Sequence, residues 1–389
     1  VSRLETYKIL GAEGQAAGSA PVLVERRLTS LDGWRGVAIL LVFFRHYSNT
    51  TSFKHGWVMV LSRVLESGWI GVDLFFVLSG FLITGILLDT REHKNYFKNF
   101  YARRTLRIFP LYFGVLFALL AATPWLHLQW TAWHLSFFFY VSNIASQFKD
   151  NLYSLSTFVG LGPTWSLCVE EQFYMLWPLV ILLIPNRKRL LQFIVGAMTL
   201  ALLTRLALLL VLPNEPAYEW AYHVLPMRAD GLLCGAMIAV LYRKNISVKQ
   251  LRWPLGIAAV VFAAVCISCG YIDFHSVATC LLIYPSVALL FGGLLLHALQ
   301  QGTWANWIGN VGWLRFFGRY SYGMYIYHDL LNTAGLMRWM QMKMHSLALG
   351  GMVYVVMMLA ITTVVSVLSY ELFEKQFLKL KDRFSYSAI

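Results

Sequence analysis

The sequence predicts an all-α, polytopic transmembrane bundle of about ten helices. Three observations predict it. Hydrophobic residues make up 58% of the 389 residues and charged residues only 13%, about half the share of a soluble domain. The apolar residues gather into runs of roughly 20, the length needed to cross the hydrocarbon of a bilayer. Aromatics reach 15%, with 14 Trp, which suits a protein that furnishes two membrane–water interfaces. The formal charge of +13 sits in short basic clusters between the apolar runs rather than on one solvated face. That pattern argues against nucleic acid as a partner and for membrane lipids.

The expected spans lie near 33–52, 69–89, 107–123, 165–184, 190–212, 228–242, 254–271, 277–299, 316–337 and 347–371. The first, sixth and ninth carry polar residues and are the weakest spans by hydropathy. A further apolar stretch at 131–147 reads as re-entrant or interfacial, with an extra crossing as the alternative. Basic residues crowd Arg26 and Arg27, the 89–107 loop, Arg187-Lys188-Arg189, the segment from Arg243 to Arg252, and Lys375 to Arg383. Of Lys and Arg, 124–164 holds only Lys149 and 213–227 holds none, whereas Arg338 and Lys343 run against the trend. Both termini are therefore expected in the cytoplasm, with an even number of spans.

Residues 1–28 read as a flexible cytoplasmic tail, 29–377 as one membrane domain and 378–389 as a second cytoplasmic tail. The first segment is rich in small residues and lacks an apolar core, so no cleavable signal peptide is expected. Cys168, Cys234, Cys266, Cys269 and Cys280 all lie in apolar segments. The Cys-x-x-Cys spacing of Cys266 and Cys269 has no second pair or nearby histidine, so helix packing is expected there, with no metal site and no disulfide framework.

Polar residues within a span are costly, and each asks for a reason. Arg35 and His46 in the first span are eleven residues apart, ~1,100° of rotation, so they share a helical face within ~20° and stand ~16 Å apart along the axis. A snorkelling arginine and a histidine bonded within the bundle are the ordinary alternative. Asp73, about one turn into the second span, is expected at the depth of His46 and needs a cationic or hydrogen-bonding partner, for which His46 or Arg45 would serve. An Asp–His pair fixes the imidazole tautomer and raises its basicity, as a general base requires; a purely structural clamp is equally consistent. Arg104 and Arg107 are i,i+3 neighbours able to grip a phosphate-bearing ligand with two guanidinium forks, unless they only set orientation or bind headgroups. Glu170 and Glu171 near the outer end of the fourth span cannot both face lipid, so at least one is expected in a polar cavity, suited to accept bonds from ligand hydroxyls. Arg228 and Asp230 are expected to pair with each other, and His328 is a second intramembrane histidine.

Taken together and in this order, the segments from about Leu31 to Phe377 resemble the acyltransferase 3 family of polytopic membrane acyltransferases. The resemblance implies transfer of an acyl group, above all acetyl, from cytoplasmic acyl-CoA to a hydroxyl of an extracytoplasmic or lipid-linked carbohydrate, in a bacterial inner membrane. Acyl-CoA is then a co-substrate, with no bound cofactor. Arg35 and His46 match the family's Arg-x10-His pair and Arg104 and Arg107 its Arg-x-x-Arg, which assigns the donor to Arg35, Arg104 and Arg107. Asp73, Glu170 and Tyr174 match recurrent family positions of less settled role. The expected catalytic set is His46 with Asp73, and the expected acceptor set is Glu170, Glu171, Tyr174, Arg228 and His328. The chain ends shortly after its last span and so resembles members without a C-terminal esterase-like domain. Homo-oligomerisation is left open.

His46 then acts as general base toward the acceptor hydroxyl or takes the acyl group itself. The alternative from another class is a non-enzymatic carrier or flippase for a lipid-linked sugar, which the buried charges fit equally well.

Overall fold

The computed structural model describes residues 28–48, 65–244, 246, 248–269, 275–330 and 334–384. The expected N-terminal tail to residue 27, the end of the C-terminal tail beyond 384 and the Cys269 side chain lie outside them. Twelve principal helices carry the architecture: α1 (Thr29–Ser48), α2 (Ile70–Thr90), α3 (Tyr96–Leu126), α4 (Thr164–Leu183), α5 (Arg187–Val211), α6 (Asn214–His223), α7 (Asp230–Tyr242), α8 (Arg252–Cys269), α9 (Tyr284–Leu299), α10 (Gly312–Tyr327), α11 (Ala334–Lys343) and α12 (Leu347–Ser369). Each of the ten expected spans overlaps one of them, but the ninth, 316–337, is not a single helix: α10 ends at Tyr327 and α11 begins at Ala334.

Seven helices among the described residues are long and apolar enough to cross a membrane. The three expected spans that do not qualify are α1, α7 and α10, the ones weakened by polar residues. Packing explains why they are still buried in the bundle. In α2, 72% of the apolar window is buried within the protein, against 17% in α5 and 6% around α8. The peripheral helices thus meet lipid, while α1, α2, α7 and α10 form the centre, where polar side chains find protein partners.

The central helices touch backbone to backbone. A Cβ at Gly36 of α1 would collide with the Leu314 carbonyl, and one at Gly318 of α10 with the Asp32 carbonyl. The same holds where α2 crosses α7, at Gly80 against Leu232 and at Gly235 against Val77. Small residues replace side-chain thickness at these crossings, which is how helices associate closely where no hydrophobic effect drives them together. The stretch 131–147 contains only the short helices Ala132–His134, Leu135–Phe138 and Ser142–Ala145, none long enough to cross a bilayer.

Candidate functional site

At the N-terminal half of α1, Arg35 is held by Asp32 one turn earlier, at 3.3 Å. Arg104 and Arg107 approach from α3, and all three arginines line one cavity of about 100 Å³ between α1, α2, α3, α4 and α10. A wider cavity of about 440 Å³ shares the same three residues and continues past Asp32, Arg319 and Glu374. α3 and α4 run antiparallel here, because Tyr96 donates to Pro178 O at 3.0 Å and Tyr101 to Met175 O at 2.8 Å. That alignment sets the Arg104 guanidinium 5.3 Å over the Tyr174 ring. Tyr174 in turn hydrogen-bonds Ser79 of α2. Glu170 and Glu171 face the same space, and Glu171 Oε1 is buried with no hydrogen-bond partner among the described residues. Glu170, Glu171 and Tyr174 therefore stand with the arginines.

The inner cavity ends at Ser166 and Tyr325, whose hydroxyls are hydrogen-bonded to each other. The Tyr325 ring lies 5.6 Å from that of His328, and His328 lies 4.7 Å from His46 across a T-shaped contact. A continuous line of side chains thus joins the arginines to a histidine pair. His46 stands on the last turn of α1 and is exposed, with Nδ1 2.9 Å from Val42 O. A carbonyl only accepts, so in the neutral ring the proton resides on Nδ1 and Nε2 keeps its lone pair. His328 is buried and repeats the arrangement, with Nδ1 2.8 Å from Tyr325 O. Its Nε2 has no hydrogen-bond partner among the described residues. Tyr47 fixes this corner by donating to His328 O at 2.5 Å.

Two sequence expectations are corrected. Asp73 does not pair with His46: both carboxylate oxygens accept from Arg228, at 2.6 and 2.8 Å, and both side chains are fully buried. The reason is helical rotation. Gly71 of α2 faces Ala38 of α1, and two residues later the chain has turned by about 200°, so Asp73 points away from α1. Nor does Arg228 pair with Asp230, which is taken by Arg205 of α5 at 2.5 Å. Arg228 is walled by the rings of Tyr284, Tyr222, Trp69 and Phe76, the closest centroid at 4.1 Å. It has no surface left for an acceptor.

A family model described as an acyltransferase domain matches residues 28–371. The chain belongs to the acyltransferase 3 family. The match contains Arg35, Arg104, Arg107, Glu170, Glu171 and Tyr174 as well as His46 and His328. The peptidoglycan O-acetyltransferase OatA of Listeria monocytogenes is 29% identical over 334 residues, 77% of this chain and 48% of that protein. The putative peptidoglycan O-acetyltransferase YrhL of Bacillus subtilis is 29% identical over 327 residues, 78% of this chain and 48% of its own. A putative O-acetyltransferase of Staphylococcus aureus is 27% identical over 322 residues, 78% of this chain and 50% of that protein. The chain thus spans about half the length of these acyltransferase 3 relatives. No solved structure matches it.

Sequence reasoning missed Asp329, which follows His328 directly and lies within electrostatic reach of His46. Two adjacent ionisable residues closing an apolar helix were the available signal. Ser79, Ser166 and Tyr325 carried none, since a hydroxyl in a span is ordinarily satisfied by its own helix.

Proposed function

We propose that this chain transfers an acetyl group from acetyl-CoA to a hydroxyl of a carbohydrate, with the donor held at Arg35, Arg104 and Arg107 and the chemistry performed at His46. The observation that carries this reading is the convergence of three arginines from two helices on a cavity that leads to a histidine pair. Guanidinium forks suit the phosphates of the donor. The ~16 Å along α1 between Arg35 and His46 gives an extended pantetheine arm room to bring the thioester to the imidazole. His46 Nε2 takes the hydroxyl proton as the hydroxyl oxygen attacks the thioester carbonyl carbon. The new C–O bond forms, the C–S bond breaks, and the departing CoA thiolate recovers the proton from His46. The relatives named for peptidoglycan O-acetylation support a glycan acceptor of that kind, and the loop charges support a donor side facing the cytoplasm.

The direct test is a titration of acetyl-CoA against purified protein. Wild-type protein is expected to bind. Arg104→Ala and Arg107→Ala are each expected to lose a charge-assisted bond of roughly 1.5–3 kcal/mol, about tenfold or more in affinity per residue. Unchanged affinity in the double variant reassigns the pair to lipid anchoring. Absence of binding by wild type returns the chain to the carrier class, which has no use for acetyl-CoA.

Sidedness is tested separately. Lys98, Lys149 and Lys188 are all exposed. Single cysteines at these positions, with the native cysteines replaced, are probed in intact cells with an impermeant maleimide. Only position 149 is expected to react. Labelling at 98 or 188 inverts the topology and sinks transfer across the membrane.

A further inference from the structure

Among the described residues, a cavity larger than either of the two that the arginines line lies elsewhere. It measures about 980 Å³ and lies between the 146–162 segment, α6 and the turn that follows α10. Its lining is predominantly acidic: Asp150, Glu215, Glu219 and Asp329 stand against one cation, Lys149, beside Trp220 and His223. Glu219 is an ionised hydrogen-bond acceptor at any ordinary pH. Its hydrogen bond from His223 holds the carboxyl down to about 2, against the opposing effect of its burial, and His275 at 3.0 Å adds to this.

One residue connects this cavity to the chemistry. Asp329 borders it and directly follows His328, whose ring touches that of His46. The chain leaves the Asp329 carboxylate open to the cavity by placing glycine opposite it. A Cβ at Gly162 would come within 2.8 Å of Asp329 Oδ2.

From this placement, and resting on the acyl-transfer reading above, we propose that the acidic cavity is the acceptor site and that it binds an uncharged stretch of β-linked amino-sugar polymer. The lining suits the hydroxyl and amide donors of such a polymer. Carboxylates are acceptor-only groups and match sugar hydroxyls and amide N–H groups. The indole of Trp220 offers an apolar face for a pyranose ring together with an N–H donor. Four carboxylates against the single Lys149 disfavour a polyanion, so phosphate-bearing ligands are drawn instead to the arginine-lined end. The volume is at the upper end of the ~300–1,000 Å³ range of ligand pockets, enough for more than one sugar ring. Glu170, Glu171 and Tyr174 then belong to the donor side.

Chitotetraose, a soluble β-1,4-linked tetramer of N-acetylglucosamine, is the probe. Three measurements are made on the full chain in nanodiscs: acetyl-CoA affinity, transfer of labelled acetyl to chitotetraose, and chitotetraose protection of a single cysteine at Asn151 against a thiol reagent. Asn151 belongs to the same lining. Protection of the cysteine is expected, together with at least a tenfold rise in chitotetraose KM in Trp220→Ala and in Glu215→Gln, while acetyl-CoA affinity stays within twofold of wild type. Unchanged KM in both variants overturns the assignment, as does absence of both protection and transfer in a wild type that still binds acetyl-CoA. Loss of acetyl-CoA binding by wild type instead strikes the acyl-transfer reading, and protection then still reports on the sugar site by itself.

Discussion

His46→Ala is expected to lower the rate of acetyl transfer by about 10²–10⁴-fold, the worth of a positioned general base, while the protein still folds, inserts and binds acetyl-CoA. Folding is spared because His46 is exposed on the last turn of α1, so truncation opens no void in the core. Donor affinity is spared because Arg35 stands ~16 Å away along the same helix and Arg104 and Arg107 line its cavity from α3. Labelled acetyl transfer in nanodiscs, compared at equal protein, checks the first part, and the acetyl-CoA titration checks the second. A wild-type rate removes His46 from the mechanism. His328→Ala differs in kind, since that ring is buried and its loss is expected to cost stability as well as rate.

The sequence displays the spans because hydrocarbon imposes a length and a composition that no other solvent does. Where hydropathy fades, in α1, α7 and α10, it does so because these helices pack among others and carry Arg35 and His46, Asp230, and, just past the end of α10, His328. Weak hydropathy thus marked the helices that hold polar side chains inside the bundle. The pairing of the arginines was legible too, since i,i+3 residues on α3 share a face. Which face of a helix meets which neighbour was not. Asp73 was assigned the right helix but the wrong side of it. Arg228 and Asp230, two residues apart, looked paired in sequence, yet such residues do not face each other on a helix and each found a partner elsewhere. Depth was similarly hidden for Glu170 and Tyr174. Tyr174 lies ten residues into α4, ~15 Å, and Arg104 eight into α3, ~12 Å, so in antiparallel helices the two meet well inside both rather than at their ends. Loop cavities escape sequence reading altogether, because Asp150, Glu219 and Asp329 are separated by long stretches of chain and converge only in the fold.

The largest stability effect is expected at the Asp73–Arg228 pair. Both groups are fully buried and joined by two short bonds, so removing either partner leaves an uncompensated charge in the bundle. Asp73→Leu and Arg228→Met alone are each expected to destabilise the protein by about 3–5 kcal/mol, enough to deplete it from the membrane. The double variant is expected to regain most of that loss, because a buried ion pair replaced by apolar residues of similar volume is often neutral or better. Thermal unfolding in detergent reads the stability, and labelled acetyl transfer reads the function. The pairing of the two readouts separates the roles open to Asp73. If it serves only to clamp α2 to the segment before α7, the stable double variant transfers acetyl at close to the wild-type rate. A double variant that is stable yet inactive would return Asp73 to the chemistry, with Arg228 as the group that holds its carboxylate in place.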